Sequence, residues 1–142
     1  MLRATARVGA ADVINERPVI RNRVYVGDDA NSVYRRVLCV CSMGLLRSPT
    51  AAYVLSQVPY EFNTRACGVE PDALVPLTAA LVEWAQEIVC MEESHADHVE
   101  RYCDGSIVPI YVLGIPDDYE YRSPHLVRLV RQRYGVAPRP LP

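Results

Sequence analysis

The stretch of sequence that decides the fold is Val37-Leu38-Cys39-Val40-Cys41-Ser42-Met43-Gly44-Leu45-Leu46-Arg47-Ser48-Pro49. Its first five residues form a continuous apolar run, which is typical of a β-strand buried on both faces of a sheet. Ser48 and Pro49 predict the start of a helix, with Ser at the N-cap and Pro at the first helical position. The stretch therefore predicts a buried strand and a helix joined by a loop over residues 41–48.

Strands and helices continue to alternate after this stretch. The predicted strands are 37–41, 60–67, 87–91 and 107–112, and the predicted helices are 49–58, 77–85, 94–102 and 123–134. Ser94 and Ser123 are the expected N-caps of the last two helices. This alternation predicts an α/β fold with a four-stranded parallel sheet and helices on both faces. Ligands bind such sheets at the carboxyl ends of strands, where the loops 41–48 and 113–122 lie.

Composition places the chain among globular proteins with one main domain. It has 142 residues, of which 50% are hydrophobic and 23% charged, and its formal net charge is −2. This near-neutral charge argues against nucleic-acid binding, and no apolar run approaches the ~18 residues that would span a bilayer. We divide the chain into a partly ordered N-terminal extension (1–35), a main domain (36–136) and a Pro-rich tail (137–142).

Cysteine usage indicates the compartment. The chain has five cysteines and no apolar stretch near its first residue that resembles a signal peptide, so we expect reduced thiols and a cytoplasmic location. The pattern Cys90-x4-His95-x2-His98-x4-Cys103 contains zinc-ligand residue types, but structural zinc sites favour more closely paired cysteines. We interpret these four residues as packing or surface residues and expect neither a metal nor a cofactor.

The loop over residues 41–48 has the composition of an anion-binding site. A loop that enters a helix aims backbone N–H groups at one point, and the helix dipole adds partial positive charge there. Arg47 supplies a permanently charged, bidentate donor for two phosphate oxygens, and Gly44 permits a left-handed backbone. The same field favours the thiolate form of Cys41, with the Ser48 hydroxyl within reach. The loop therefore predicts a cysteine nucleophile below an oxyanion pocket.

The pattern Val-Leu-Cys-Val-Cys-x5-Arg-Ser-Pro, together with Ile115-Pro116-Asp117-Asp118-Tyr119, resembles the low-molecular-weight protein tyrosine phosphatases over residues 36 to about 134. The resemblance implies a flavodoxin-like three-layer fold. It also implies hydrolysis of phosphotyrosine or another aryl phosphate monoester through a phosphocysteine intermediate. In that case Cys41 is the nucleophile, Arg47 binds phosphate and Ser48 orients the thiolate. The phosphate cradle is then formed by the amides of Ser42, Met43, Gly44, Leu45, Leu46 and Arg47.

The loop departs from the family pattern at three places. Gly44 stands where the family usually has Asn, and we expect it to take over the left-handed conformation of that residue. Leu46 stands where many members carry a second cysteine that traps the nucleophile as a disulfide, so that protection against oxidation is absent. Leu45 stands where relatives specialised for phosphoarginine tend to have Thr, which favours phosphotyrosine here.

The loop over residues 113–122 carries the candidate general acid. Tyrosine leaves phosphate as a phenolate of pKa ~10, so a carboxylic acid beside the leaving oxygen assists the reaction. By resemblance to the family's Asp-Pro-Tyr-like segment, Asp117 is the favoured acid and Asp118 is the competitor. Tyr119 and Tyr121 either line the pocket and stack on an aryl substrate or serve in packing.

Two other functions remain open at this point. One is a thioredoxin-coupled arsenate reductase, which would need a relay through Cys67, Cys90 or Cys103. The other is a module that binds phosphorylated ligands or senses redox state without catalysis, although a binding module has no use for the acid. For a phosphatase we expect a phosphorylated protein or a small aryl phosphate as partner, no nucleic acid or membrane, and a monomer or weak dimer.

Overall fold

The computed structural model describes residues 34–103, 107–120 and 122–141. Nearly all of the predicted N-terminal extension, residues 1–33, lies outside this described part, as does Tyr121. None of the described helices is long and apolar enough to cross a membrane.

Strands and helices alternate along the described chain. The strands are β1 (Arg36–Cys41), β2 (Asn63–Gly68), β3 (Glu87–Cys90) and β4 (Ile110–Val112), and the helices are α1 (Arg47–Leu55), α2 (Ala79–Trp84), α3 (Glu93–Glu100) and α4 (Pro124–Tyr134). The strands form one parallel sheet in the order β2-β1-β3-β4. The predicted four-stranded parallel α/β fold is confirmed.

Strand β1 lies in the middle of the sheet and is buried along its whole length. Val37, Cys39 and Cys41 belong to the hydrophobic cluster that α1 and α4 cover. The alternate residues Leu38 and Val40 belong to the cluster on the opposite face, which α2 and α3 cover. Because both faces are covered, the strand is apolar at every position from 37 to 41, as the sequence predicts.

The predicted start of the first helix is wrong. Helix α1 begins at Arg47, and Leu46 occupies its N-cap position without a side-chain hydrogen bond to the helix. Ser48 lies inside the first turn and is fully buried. Its hydroxyl oxygen lies 3.1 Å from the carbonyl oxygen of Cys67 and 3.1 Å from Sγ of Cys41. Ser48 therefore makes tertiary contacts where the sequence predicts a local cap.

Other predicted boundaries also shift. Strand β2 begins at 63, because residues 57–62 form a turn after α1. Helix α3 has Glu92 at its N-cap, and the predicted cap Ser94 lies exposed on its first turn. The predicted N-cap of α4 is confirmed, since Ser123 Oγ accepts the N–H of Leu126 at 3.1 Å.

Candidate active site

The candidate active site lies at the carboxyl ends of β1 and β3. Chain connections leave in opposite directions on the two sides of this point, since β2 lies beside one edge of β1 and β3 beside the other. Such a switch point is where open α/β sheets bind ligands. A cavity of about 220 Å³ opens there, and it is lined by Cys41, Ser42, Met43, Leu45, Leu46, Arg47 and Asp117. The two loops singled out in the sequence thus meet at one cavity.

Cys41 occupies the floor of this cavity. It is the last residue of β1 and only 3% of its surface is exposed. Its sulfur accepts the backbone N–H of Gly44 at 3.2 Å and lies 3.1 Å from the hydroxyl oxygen of Ser48. Two polar groups, the Gly44 amide and the Ser48 hydroxyl, thus contact the sulfur.

The backbone of the 41–48 loop has unsatisfied donors. Gly44 has a φ of 71°, the left-handed conformation expected of it. The first N–H groups of any helix lack intrahelical partners, and in α1 no capping side chain takes their place. Within the described part of the chain, no protein acceptor is found for the N–H groups of Ser42, Met43, Leu45, Leu46 and Arg47. These amides remain available to an anion.

Gly68 supports the loop from below and was missed as a functional residue in the sequence. A Cβ atom there would lie 2.4 Å from the carbonyl oxygen of Ser42 and 2.6 Å from the amide nitrogen of Gly44. Both are backbone atoms of the loop, so they cannot move aside without deforming it. The sequence shows Gly68 closing a strand, but it does not show which backbone packs on it.

Arg47 is almost fully buried, with 2% of its side chain exposed. Its Nη1 donates to the carboxylate of Glu92 and, at 2.9 Å, to the carbonyl oxygen of Ile115. Its Nε lies 3.7 Å from Oδ1 of Asp117, and its Nη2 lies 3.4 Å from Oγ of Ser42. One end of the guanidinium is thus fixed by protein, while the Nε and Nη2 edge lies beside cavity-lining residues.

Glu92 and His95 are further site residues that the sequence analysis missed. Glu92 pairs with Arg47, and the ring Nε2 of His95 lies 3.1 Å from Ser42 Oγ. The sequence places His95 only in the Cys-His-His-Cys pattern, and the described residues contain no group of three or more His, Cys, Asp or Glu side chains that could hold a metal ion. The sequence signal for these two residues is their spacing of three at a helix start, which is the spacing of a capping box. It could not reveal contacts with residues about 50 positions earlier.

The two candidate acids lie in different surroundings. Asp117 lines the cavity beside Arg47, and 62% of its side chain is exposed. Asp118 is exposed and is not among the residues that line the cavity. Tyr119 packs against the core cluster and makes an edge contact with the ring of His125, with centroids 5.0 Å apart. The structure therefore brings Asp117 to the cavity and gives Tyr119 a packing role.

None of the other four cysteines is among the residues that line the cavity. Cys67 and Cys90 belong to the hydrophobic cluster on the sheet face opposite Cys41. Burial raises the pKa of Cys67 well above its usual value and raises that of Cys90 to about 12. Cys39 shares the face of Cys41, but burial raises the pKa of its thiol as well. The thiols of Cys39, Cys67 and Cys90 thus have the properties of buried core residues.

Comparison with known proteins identifies the fold. No protein-family model matches the chain, and no curated protein matches its sequence. Among solved structures, Wzb from Vibrio vulnificus in complex with benzylphosphonate is similar with a TM-score of 0.58 at 18% identity, over 70% of this chain and 94% of Wzb. A low-molecular-weight protein tyrosine phosphatase from Bacillus subtilis has a TM-score of 0.53 at 18% identity, over 68% and 93% of the two chains.

The YwlE arginine phosphatase from Geobacillus stearothermophilus is similar with a TM-score of 0.50 at 22% identity, over 70% of this chain and 89% of YwlE. At these identities the similarity establishes the fold and leaves the chemistry to be argued from the site. The chain has the fold of the low-molecular-weight protein tyrosine phosphatases, which confirms the fold that the sequence resemblance implies.

Proposed function

We propose that this protein is a cysteine-dependent phosphatase that hydrolyses phosphotyrosine or other aryl phosphate monoesters through a phosphocysteine intermediate. The observation that carries the proposal is the position of Cys41 Sγ on the floor of a cavity that Arg47 and unsatisfied loop amides also border. We expect the protein to act without a cofactor, as a cytoplasmic monomer or weak dimer.

Substrate binding follows from the donors around the cavity. The Nε and Nη2 atoms of Arg47 form the planar pair that matches two phosphate oxygens. Glu92 and the Ile115 carbonyl hold the remaining amino group, so the guanidinium is oriented before a substrate arrives. The rim is apolar, with Leu45 and Leu46 exposed at 42% and 36%. An aryl group suits this rim.

Ser48 connects the protonation state of Cys41 to the backbone of β2. The Ser48 oxygen lies 3.1 Å from both Cys41 Sγ and the Cys67 carbonyl oxygen, and one hydroxyl proton can satisfy only one of them. While Cys41 is a thiol, it donates to Ser48 and Ser48 donates to the carbonyl. When Cys41 ionises, the Ser48 hydroxyl rotates towards the sulfur and stabilises the nucleophile.

The reaction then proceeds in two displacements. The Cys41 thiolate forms a bond to phosphorus as the bond to the phenolic oxygen breaks, and Asp117 protonates that oxygen. The Asp117 carboxylate next accepts a proton from a water molecule that attacks the phosphocysteine. The S–P bond breaks, inorganic phosphate leaves, and the thiolate is restored. Throughout, Arg47 and the loop amides stabilise the charge on the transferred phosphoryl oxygens.

Hydrolysis of p-nitrophenyl phosphate in the presence of a metal chelator tests the proposal. We expect turnover by the wild type, loss of turnover in Cys41→Ser, and full activity in the matched control Cys103→Ser, whose thiol lies away from the cavity. Acid quenching with labelled substrate is expected to trap a phosphoenzyme in the wild type and in Cys103→Ser, and none in Cys41→Ser. Turnover that survives in Cys41→Ser would refute the cysteine mechanism.

A further inference from the structure

The N-terminus of α3 is capped by two side chains that also reach the candidate active site. The Glu92 carboxylate accepts the backbone N–H of His95, and Nδ1 of His95 accepts the backbone N–H of Glu92 at 3.0 Å. This reciprocal arrangement is a capping box, in which the third helical residue is usually Glu or Gln. A histidine there has a second ring nitrogen, and it is this nitrogen that lies 3.1 Å from Ser42 Oγ.

The cap fixes which ring nitrogen of His95 carries the proton. A backbone N–H can only donate, so Nδ1 must present its lone pair to Glu92. Burial and, to a smaller extent, the charge of Arg47 lower the pKa of His95 to about 4. The imidazole is therefore neutral at neutral pH and carries its single proton on Nε2. It follows that Nε2 donates to the Ser42 hydroxyl oxygen.

Ser42 receives a second hydrogen bond from Arg47, whose Nη2 lies 3.4 Å from Oγ and can only donate. A hydroxyl group has two lone pairs and one proton. With both lone pairs engaged, the proton of Ser42 must be donated elsewhere. Among the described residues no acceptor takes it, and Ser42 lines the cavity beside the Nη2 atom of Arg47.

We propose that the Ser42 hydroxyl binds substrate directly, by donating a hydrogen bond to a non-bridging oxygen of the phosphoryl group in transfer. His95 is the positioning residue that holds the hydroxyl in the donor role. This inference rests on the proposed function and adds a side-chain donor to the backbone cradle. Charge spreads over the non-bridging oxygens in the transition state, and a donor fixed beforehand stabilises it without reorganisation. No proton leaves Ser42.

The first test compares Ser42→Ala with Ser42→Thr in p-nitrophenyl phosphate turnover and in inhibition by orthophosphate. Loss of one donor to a charged group is expected to lower kcat/KM by about 10- to 100-fold and to weaken phosphate inhibition in Ser42→Ala. Ser42→Thr keeps a hydroxyl and is expected to lose less. A Ser42→Ala protein with both constants within about twofold of wild type would overturn the proposal.

The second test asks whether His95 acts through Ser42. In His95→Gln the amide keeps both an acceptor for the cap and a donor for Ser42, whereas His95→Ala keeps neither. We expect His95→Ala to lower kcat more than His95→Gln does, and to add almost nothing in a Ser42→Ala background. Ser94→Ala, on the exposed side of the same turn, is the control for the helix. Equal losses in both backgrounds would refute the positioning role.

A binding measurement separates this inference from the proposed function. Orthophosphate is titrated calorimetrically into Cys41→Ser and into Cys41→Ser combined with Ser42→Ala. Weaker phosphate binding in the double variant supports the Ser42 donor even where the cysteine mechanism fails. Equal binding by both proteins counts against the donor, whatever the turnover assays show for Cys41.

Discussion

The two ends of the central strands each hold a buried charged side chain, and the two charges are satisfied in different ways. Beyond the carboxyl end of β1, Arg47 has one amino group fixed by Glu92 and Ile115, while its Nε and Nη2 atoms lie beside the cavity. At the opposite, amino ends of the strands, Glu87 is the first residue of β3, and its side chain has no exposed surface. Its two oxygens accept Arg35 Nη1 and the Tyr134 hydroxyl, each at 2.8 Å.

This difference in hydrogen bonding suggests different roles: a structural one for Glu87 and, under the proposed function, a binding one for Arg47. Glu87 is closed off, because both oxygens have protein donors and no solvent reaches them. Burial raises its pKa, and the hydrogen bonds from Arg35 and Tyr134 partly oppose that rise. Arg47 is about as buried, but only its Nη1 is held by two protein acceptors, so under the proposed function a ligand of opposite charge completes its hydrogen bonds. Under the proposed function, the buried charge that borders a cavity marks the end of the strands where the substrate binds.

The largest expected effect is at Arg47. Arg47→Ala removes the planar donor pair and the charge that stabilises the transferred phosphoryl group, so we expect kcat/KM to fall by about 10³- to 10⁵-fold. Steady-state kinetics with p-nitrophenyl phosphate measure this, with Arg128→Ala on the exposed face of α4 as control. A fall in kcat/KM of less than tenfold would contradict the contrast between Arg47 as a binding residue and Glu87 as a structural one.

The second largest effect is expected at Asp117, one of the two adjacent carboxylates that could serve as the general acid. Asp117→Asn is expected to lower kcat by about 10²- to 10⁴-fold with little change in KM, because it removes the acid and leaves the phosphate donors in place. Asp118→Asn, the matched neighbour, is expected to stay within a few-fold of wild type. Single-turnover and steady-state rates for the pair decide the assignment, and the reverse order would make Asp118 the acid.

A smaller effect is expected from Gly68→Ala, which touches neither substrate nor nucleophile. The new methyl group collides with the backbone of Ser42 and Gly44, so the loop is displaced and its amides lose their alignment. We expect kcat/KM to fall by roughly tenfold or more. Gly135→Ala is the control, since a Cβ there has no neighbour within 4 Å and only the backbone is strained. If both variants lose the same activity, the loop is not supported by Gly68.

The smallest effect on activity is expected at Glu87. Because its pKa is raised in the folded protein, the unfolded chain ionises first as the pH rises from near 4.5. Wild type therefore loses stability relative to Glu87→Gln across the window between the ordinary and the raised pKa. Urea unfolding of both proteins from about pH 4 to pH 7 measures this, while kcat/KM is expected to stay within about twofold. A pH-independent difference, or a large loss of activity, would contradict the structural role.

Local sequence was sufficient for much of the fold. The apolar run of β1 and the cap at Ser123 were predicted correctly, because burial on two faces and capping of a helix leave signals in neighbouring residues. The start of α1 was predicted wrongly for the opposite reason. The hydroxyl of Ser48 is used by Cys41 and by the carbonyl of Cys67, which lies 19 residues away, so a tertiary contact replaced the local cap.

For the candidate site, the sequence by itself determined the residues that follow β1, since a strand, a loop of five residues between Cys41 and Arg47, and a helix already bring these two side chains and the loop amides together. Only the tertiary structure decided that Glu92 orients Arg47, that His95 reaches Ser42 and that Gly68 supports the loop. The physical reason is that short-range geometry follows from backbone preferences encoded locally. Contacts between neighbouring strands of a parallel sheet depend instead on strand order and register, which appear only when the chain has folded.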